Sequence, residues 1–379
     1  MSIGIVLYNR FLQVQLLFAK GTSKHGGVSL EHPLLQSYGP LEGWHILLAI
    51  GFISIGFFTY QVQKATRLVM LGSSDDRFDS WSTRVSEFIS GWLFQKKVLR
   101  DKVAGTMHVL MFWGFLMLAS DMLDLATANA FSGKILPAIL VGPWNGMVEL
   151  GYFMALVGCV SALTRRVVFT PEKLKGKSQL EGNAILLLIF TITTTSFMVE
   201  SAESPSSFWE PLGYWFSEQG LSEQTVILSY WAHMLAISVF LFLIPLSKHM
   251  HLVMAVPNVF FHDAGPIARM RPLATGDDGK AVPLEELDIE SFGVSTYNQY
   301  SWRQLIDGWS CTSCARCQDV CPAYASGKGL NPMQVIHDVR NYANDHAPIL
   351  LAGGQPGETI LERITEEAVW ACTTCNACV

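Results

Sequence analysis

Five stretches of this sequence are too long and too apolar to be left in water. They are GWHILLAIGFISIGFFTYQV from Gly43, AGTMHVLMFWGFLMLASDML from Ala104, GPWNGMVELGYFMALVGCVSALT from Gly142, NAILLLIFTITTTSFMV from Asn183 and VILSYWAHMLAISVFLFLIPL from Val226. A bilayer core about 30 Å thick takes roughly 20 apolar residues in a helix. Inside it every backbone amide must be satisfied within its own segment, so these stretches are expected as helices. The fourth is short and rich in threonine. Only 15% of the residues are charged, against about 25% in an ordinary soluble chain. A net charge of −6 offers no basic face to a nucleic acid. The N-terminal MSIGIVLYNRFLQVQLLFAKG lacks a basic leader and a small-residue cleavage site. Residues 1–42 therefore read as a retained interfacial segment rather than a signal peptide.

The connecting loops set the orientation. The loop from Gln63 to Val103 carries eight Lys/Arg and that from Arg165 to Gly182 carries five. The second loop has only Lys134, and the fourth, Glu200 to Thr225, has five glutamates and no basic residue. Basic loops stay in the cytoplasm, so the C-terminal part is expected there and the chain is expected as a multi-pass protein of the inner (cytoplasmic) membrane. The domain reading is an interfacial segment at 1–42, a five-helix bundle at 43–252, a Pro-, Gly- and acid-rich linker at 253–300 and a small soluble domain at 301–379.

That last domain carries the sharpest motif. Cys311, Cys314, Cys317 and Cys321 stand as C-x2-C-x2-C-x3-C-P, and Cys372, Cys375 and Cys378 begin the same run again. Three closely spaced thiolates bind one [4Fe–4S] cluster, and the cysteine before proline reaches over to the other. Structural zinc also takes C-x2-C pairs, but zinc knuckles use two ligands each, so the spacing points to two [4Fe–4S] clusters. By cross-ligation, Cys372, Cys375, Cys378 and Cys321 form one complete set. Cys311, Cys314 and Cys317 await a fourth ligand, which is expected past Val379 and implies a C-terminally truncated, incomplete domain. The cytoplasm keeps thiols reduced, which suits ligation and disfavours disulfides. LNPMQVIHDVRNYANDH and GETILERITEEAVWAC repeat at helical period, so the ferredoxin is expected to be α-helical. His337 on the first of these reads as a surface residue.

Ionisable residues inside spans are candidates for function. Four histidines qualify: His45, His108, His233 and His251. Neutral imidazole is the usual axial ligand of haem iron. His233 and His251 are 18 residues apart, five full turns, which on one continuous helix puts both on one face about 27 Å apart. His108 and His251 are expected as the ligands of one haem b near the cytoplasmic face, and His45 and His233 as those of a second near the outer face. His249 is the reserve ligand, and Pro245 is placed to kink the helix. Glu149, Asp121 and Asp124 are candidates either for proton relay to a quinone or for pairing with neighbours. Cys159 reads as packing.

The segment HMLAISVFLFLIPLSKHMHLVMAVP resembles the fifth helix of the cytochrome b subunit of respiratory nitrate reductase, through His233, Pro245, Ser247, Lys248, His251 and Pro257. That family holds two haems b between its second and fifth helices. This sequence departs from it at Leu118, ten residues past His108, which leaves the outer haem in need of a substitute ligand such as His45. A cytochrome of this kind joined to a two-cluster ferredoxin is similar to the membrane-bound heterodisulfide-reductase-like Fe–S oxidoreductases, over nearly the whole chain. Some of these accept electrons from electron-transfer flavoprotein and reduce menaquinone. The resemblance implies an all-α membrane protein: a five-helix transmembrane cytochrome b bundle with a cytoplasmic α-helical two-[4Fe–4S] ferredoxin domain. It implies a quinone-linked oxidoreductase with electron-transfer flavoprotein as partner and menaquinone as substrate. Two rivals stay open: a disulfide reductase coupled to a quinone-type carrier, and a membrane sensor or transporter with a zinc-stapled tail.

Overall fold

The computed structural model describes residues 33–34, 36–131, 138–169, 177–203, 205–263, 282–286, 294–375 and 378, with the side chains of 121–131, 138–139, 177–178, 203 and 284 left out. The expectations for 1–32, for Lys134, for the carboxylates of Asp121 and Asp124 and for most of the linker (264–281 and 287–293) lie outside the described residues. Most of the described residues are helical. Among the described residues five helical segments are long and apolar enough to cross a membrane: Gly43–Val69, Lys102–Ser120, Leu140–Phe169, Gln179–Glu200 and Glu223–Leu246. All five expected spans are present. The chain forms two compact units, one holding the chain up to Gly56 with Gln95–Phe242, the other Phe57–Phe94 with Leu243–Val379.

The first unit opens on a two-residue hairpin, β1 (Ser37–Tyr38) and β2 (Leu41–Glu42), and on the first half of α1 (Gly43–Val69). It then holds α3 (Lys102–Phe131), α4 (Ala138–Thr164), α5 (Lys177–Glu200), α6 (Pro211–Glu218) and α7 (Glu223–Leu243). The helices α3 and α4 pack most closely because small residues line their contact. A Cβ at Gly114 would lie 2.7 Å from Gly151 O, and one at Gly158 would lie 2.9 Å from Met107 O. In lipid, where apolar surface alone does not drive helices together, this close backbone approach supplies the packing.

The threonine-rich α5 spans because its hydroxyls turn inward on their own helix. Thr191 Oγ1 donates to Leu187 O at 2.9 Å, Thr193 to Ile189 O at 2.9 Å and Thr195 to Thr191 O at 2.6 Å. Each polar group is thereby satisfied without leaving the segment. Cys159 is buried, with its thiol 2.9 Å from Leu186 O, so it packs α4 against α5.

The fifth span departs from the continuous helix assumed above. The regular part stops at Leu243, and Pro245 sits in a 3₁₀ turn, Ile244–Leu246. Ser247 is extended (φ −121°, ψ 176°) and its hydroxyl accepts from His249 N–H to start a second 3₁₀ turn, Lys248–Met250. A new helix, α8 (His251–Phe260), begins only at His251. Proline cannot donate the bond that would carry the helix through. The five-turn phase relation between His233 and His251 therefore does not hold.

The second unit is built from the end of α1, α2 (Trp81–Phe88), α8 and a run of short helices: α9 (Trp302–Ser310), α10 (Arg316–Val320), α11 (Pro322–Ala325), α12 (Pro332–Asp345), α13 (Ala347–Leu351), α14 (Ile360–Ile364) and α15 (Glu366–Trp370). One core joins them. Leu68 and Val69 from α1 meet Met254 of α8, Tyr297, Leu305 and Ile306 of α9, and Tyr342 of α12. Tyr297 Oη donates to Leu68 O at 3.2 Å, and Trp302 Nε1 donates to Asp75 O at 3.0 Å. The buried Arg84, 2% exposed, donates to Asp79 and to the carbonyls of Phe260 and His262, closing the C-terminal end of α8. A buried arginine is tolerable only because its donors are matched in this way. Cap chemistry sets the helix starts. Asn331 accepts from Met333 and Gln334 N–H ahead of Pro332, and Ser301 with Gln304, and Thr359 with Glu362, form capping boxes. Among the described residues of this unit no strand ladder occurs, only the single Ser73–Ser301 bridge.

Candidate redox-centre site

The helix α9 delivers the first cysteine. It ends at Cys311, whose backbone is extended (φ −68°, ψ 122°). Ser310 Oγ, one residue earlier, lies 3.0 Å from both Met254 O and Ile306 O. Met254 is one turn along α8 from His251, so the candidate haem ligand and the first candidate cluster ligand of this unit are joined through one short path.

Past Cys311 the chain makes an unusual loop. Ser313 (φ 56°) and Ala315 (φ 61°) are both left-handed, and Thr374 (φ 53°) repeats the conformation of Ser313 in the second run. Non-glycine residues rarely adopt this region. The conformation turns successive N–H groups inward, as anion nests and Fe–S sites require. The Thr374 N–H points at Cys372 Sγ at 3.4 Å, and the Ser313 N–H makes the matching bond to Cys311. Cys317 lies in α10, and the buried Cys321 caps α11, its Sγ accepting from Tyr324 N–H at 3.5 Å ahead of Pro322.

The thiols fall into two neighbourhoods. Burial raises the pKa of Cys311, and Cys314 adds to the rise; burial raises Cys317, with Cys311 and Cys314 adding to it. Burial also raises Cys378, and there the additional thiols are Cys321, Cys372 and Cys375. Cys378 thus interacts with Cys321 as well as with the other two cysteines of its own run. Among the described residues no three His, Cys, Asp or Glu side chains converge as the ligands of a single metal ion. The donor set, all thiolate with backbone N–H groups turned toward the sulfurs, fits a four-iron cluster.

Sequence reasoning missed His337. It stands on α12, half-buried, with Nε2 3.4 Å from Cys311 Sγ and 3.3 Å from Ser313 Oγ. No sequence signal marks it; the close approach of α12 to α9 brings it to the loop. Gly308 of α9 lies against Arg340, where a Cβ would come 3.0 Å from Arg340 Cβ, and His337 shares Arg340's face of α12 at i,i+3 spacing.

The histidines of the apolar helices divide by their hydrogen bonds. His233 is 9% exposed and its Nδ1 lies 3.0 Å from Ile192 O and 3.1 Å from Thr195 Oγ1. His251 Nδ1 lies 2.8 Å from Lys248 O. A carbonyl can only accept, so in both rings Nδ1 carries the proton and Nε2 the lone pair. This is how metal-binding histidines are usually oriented. The reserve ligand His249 instead has Nδ1 3.1 Å from Ser247 Oγ. His45 is exposed at the start of α1, stacked on Trp44 at 3.5 Å, and its Nδ1 accepts from Glu42 N–H at 3.2 Å. That bond puts the lone pair on Nδ1, the reverse of the arrangement at His233. His108 is half-buried in the second turn of α3. Glu149 pairs with a neighbouring element: Oε1 accepts from the Leu212 and Gly213 N–H groups and caps α6.

The cysteine loops have the donor chemistry of an iron–sulfur domain, and residues 303–379 match the 4Fe-4S dicluster domain family. Over 93% of its length the chain is 27% identical to "EtfAB:quinone oxidoreductase" of Syntrophomonas wolfei, covering 54% of that protein. It is 25% identical to "Probable iron-sulfur-binding oxidoreductase FadF" of Bacillus subtilis, over 88% of this chain and 52% of that one. A 125-residue stretch is 33% identical to "Probable membrane-anchored ferredoxin" of Chromohalobacter salexigens, covering 27% of this chain and 19% of that one. These relatives identify the chain as related to iron–sulfur oxidoreductases of the EtfAB:quinone type. The chain spans about half the length of the first two. No solved structure matches it.

Proposed function

We propose that this chain is the electron-transfer part of a membrane-bound oxidoreductase working between a cytoplasmic donor, electron-transfer flavoprotein, and a membrane quinone such as menaquinone. Its carriers in this reading are two [4Fe–4S] clusters and haem b, which supply the one-electron chemistry while the protein supplies spacing, ligands and potential. The observation that carries the reading is the pair of matching cysteine loops, in which Ser313 and Thr374 take the same left-handed turn and the Thr374 N–H points at Cys372 Sγ; in this reading Cys311, Cys314 and Cys317 serve one cluster and Cys321, Cys372, Cys375 and Cys378 the other. His233 and His251 are the leading haem ligands because a backbone carbonyl orients each ring. His108 is the proposed partner ligand, and His45 would need to change its hydrogen bond to serve a second haem. The Ser310–Met254 link holds the Cys311 loop to the helix that His251 begins. The basic loops favour a cytoplasmic position for the cysteine domain.

A groove of about 440 Å³, formed by α3, α4 and the turn that follows, is the proposed quinone seat. Its walls are Val103, Met107, Val160 and Phe169, and Ser161, Thr164 and Arg165 supply the polar contacts. Apolar walls with a few polar groups suit a quinone ring and its carbonyls. The test is a visible spectrum of the purified membrane protein during turnover. Reduced electron-transfer flavoprotein is expected to raise the sharp haem b α-band, and a menaquinone analogue to bleach it. A protein that holds zinc, or that shows no such band, contradicts the reading.

A further inference from the structure

We infer that His337 is a positioning residue for the first iron–sulfur cluster, donating an Nε2–H···S hydrogen bond to the Cys311 ligand and setting that cluster's potential. The inference rests on the iron–sulfur reading above and adds to it a residue that no motif spacing marks. His337 Nε2 lies 3.4 Å from Cys311 Sγ, within reach of a hydrogen bond to sulfur, and 3.3 Å from Ser313 Oγ in the same loop. Both contacts are made from α12, an element with no cysteine, so the loop's own folding does not require them. The helix is held in place independently: Gly308 lets α12 approach α9, and Arg340 Nη1 reaches Gly308 O at 3.5 Å.

The ring serves as a donor to the ligand and not as a further ligand. Two ligands of one cube attach to different irons and point away from each other, so a nitrogen in hydrogen-bond contact with a ligand sulfur is not on the neighbouring iron. Reduction by one electron adds negative charge that the ligand sulfurs share. An N–H aimed at one of them favours the reduced form, and hydrogen bonds to sulfur are among the features that set Fe–S potentials. The Ser313 N–H already serves Cys311 from within the loop, and His337 adds a second donor from outside it.

The experiment compares wild type, His337→Phe and His337→Gln in the full membrane protein by iron and sulfide analysis and by EPR-monitored redox titration. His337→Phe is expected to keep its iron and to lower the potential of one cluster only. The shift expected is about tenfold in the reduced-to-oxidised ratio at fixed poise, or 59 mV for one electron. His337→Gln, which restores an N–H donor, is expected to recover part of the shift. Two unshifted clusters in His337→Phe overturn the inference. Pulsed EPR on wild type carrying ¹⁵N-histidine decides the matter even where a variant sheds its cluster. A weak coupling from one imidazole nitrogen is expected; a strong coupling of direct iron ligation, or none, overturns it. A wild type without iron instead sinks the underlying reading, a separate result.

Discussion

The cysteine loops and the apolar helices hold their candidate ligands by different means. In the loops, three thiolates lie within seven residues, and two left-handed residues, Ser313 and Thr374, turn the same N–H toward the same sulfur in both runs. Local spacing decides that geometry. In the helices each candidate ligand comes alone, and the two leading ones are oriented by a carbonyl elsewhere in the backbone: Ile192 O for His233 and Lys248 O for His251. A ligand set written in one loop survives changes in how helices pack, whereas a set assembled from separate helices depends on every break in them.

That contrast can be attacked first through haem content. His251→Ala and His233→Ala are each expected to lose at least one equivalent of haem by pyridine haemochrome. His45→Ala, whose ring is engaged by Glu42 N–H and exposed, is expected to lose none. Full haem in His251→Ala breaks the distinction drawn from the hydrogen bonds. Non-haem iron and acid-labile sulfide should stay unchanged in all three, because the loop ligands do not depend on these rings.

A smaller effect sharpens the packing side. Arg84→Ala removes the donors that close α8 beyond His251, leaving carbonyls of Phe260 and His262 unsatisfied. The expected cost is about 2 kcal/mol, read as a lower thermal midpoint. Gly114→Val forces a side chain onto Gly151 O and is expected to cost about 1–3 kcal/mol, measured in the same way. An unchanged midpoint in Gly114→Val contradicts close packing of α3 on α4.

The smallest effect is electrostatic and belongs to the cysteine-bearing unit. Arg363, at 2.7 Å, and then His346 hold the Glu358 carboxyl well below its ordinary 4.5, at about 2. A carboxyl depressed in the folded state stabilises it above pH 4.5 and loses that contribution as pH falls from 4.5 toward 2. The thermal midpoint should therefore decline across that window, and less steeply in Glu358→Gln. Equal slopes would show that the pair contributes nothing there, as many exposed ion pairs do.

Much of this was legible in the sequence where the determining forces are local. Cysteine spacing, the helical period around His337 and the five apolar runs all describe chemistry within about one helix length. The threonines of α5 were visible only as a weakness of the fourth span, whereas in the structure Thr191, Thr193 and Thr195 each satisfy themselves within a turn. The break at Pro245 was visible as a proline. Its extent was not, because Ser247 adds an extended residue and a new cap before His251. Glu149 was one of several carboxylates until α6 folded back to present two N–H groups to it. His337 looked like a surface residue because its partner, Cys311, is 26 residues away in the chain. The inclusion of Phe57–Phe94 in the cysteine-bearing unit depends likewise on distant partners such as Tyr297 and Trp302.

The most direct measurement is EPR of reduced Cys321→Ser, read against Cys311→Ser and Cys372→Ser as references for each cluster. Cys321 sits next to Pro322 at the end of the first run, yet Cys378 of the second run interacts with it. The expected result is loss or conversion of the signal that Cys372→Ser also loses, with the Cys311-dependent signal intact. Loss of the Cys311-dependent signal instead would place Cys321 with its own run and contradict the grouping on which the proposed function stands.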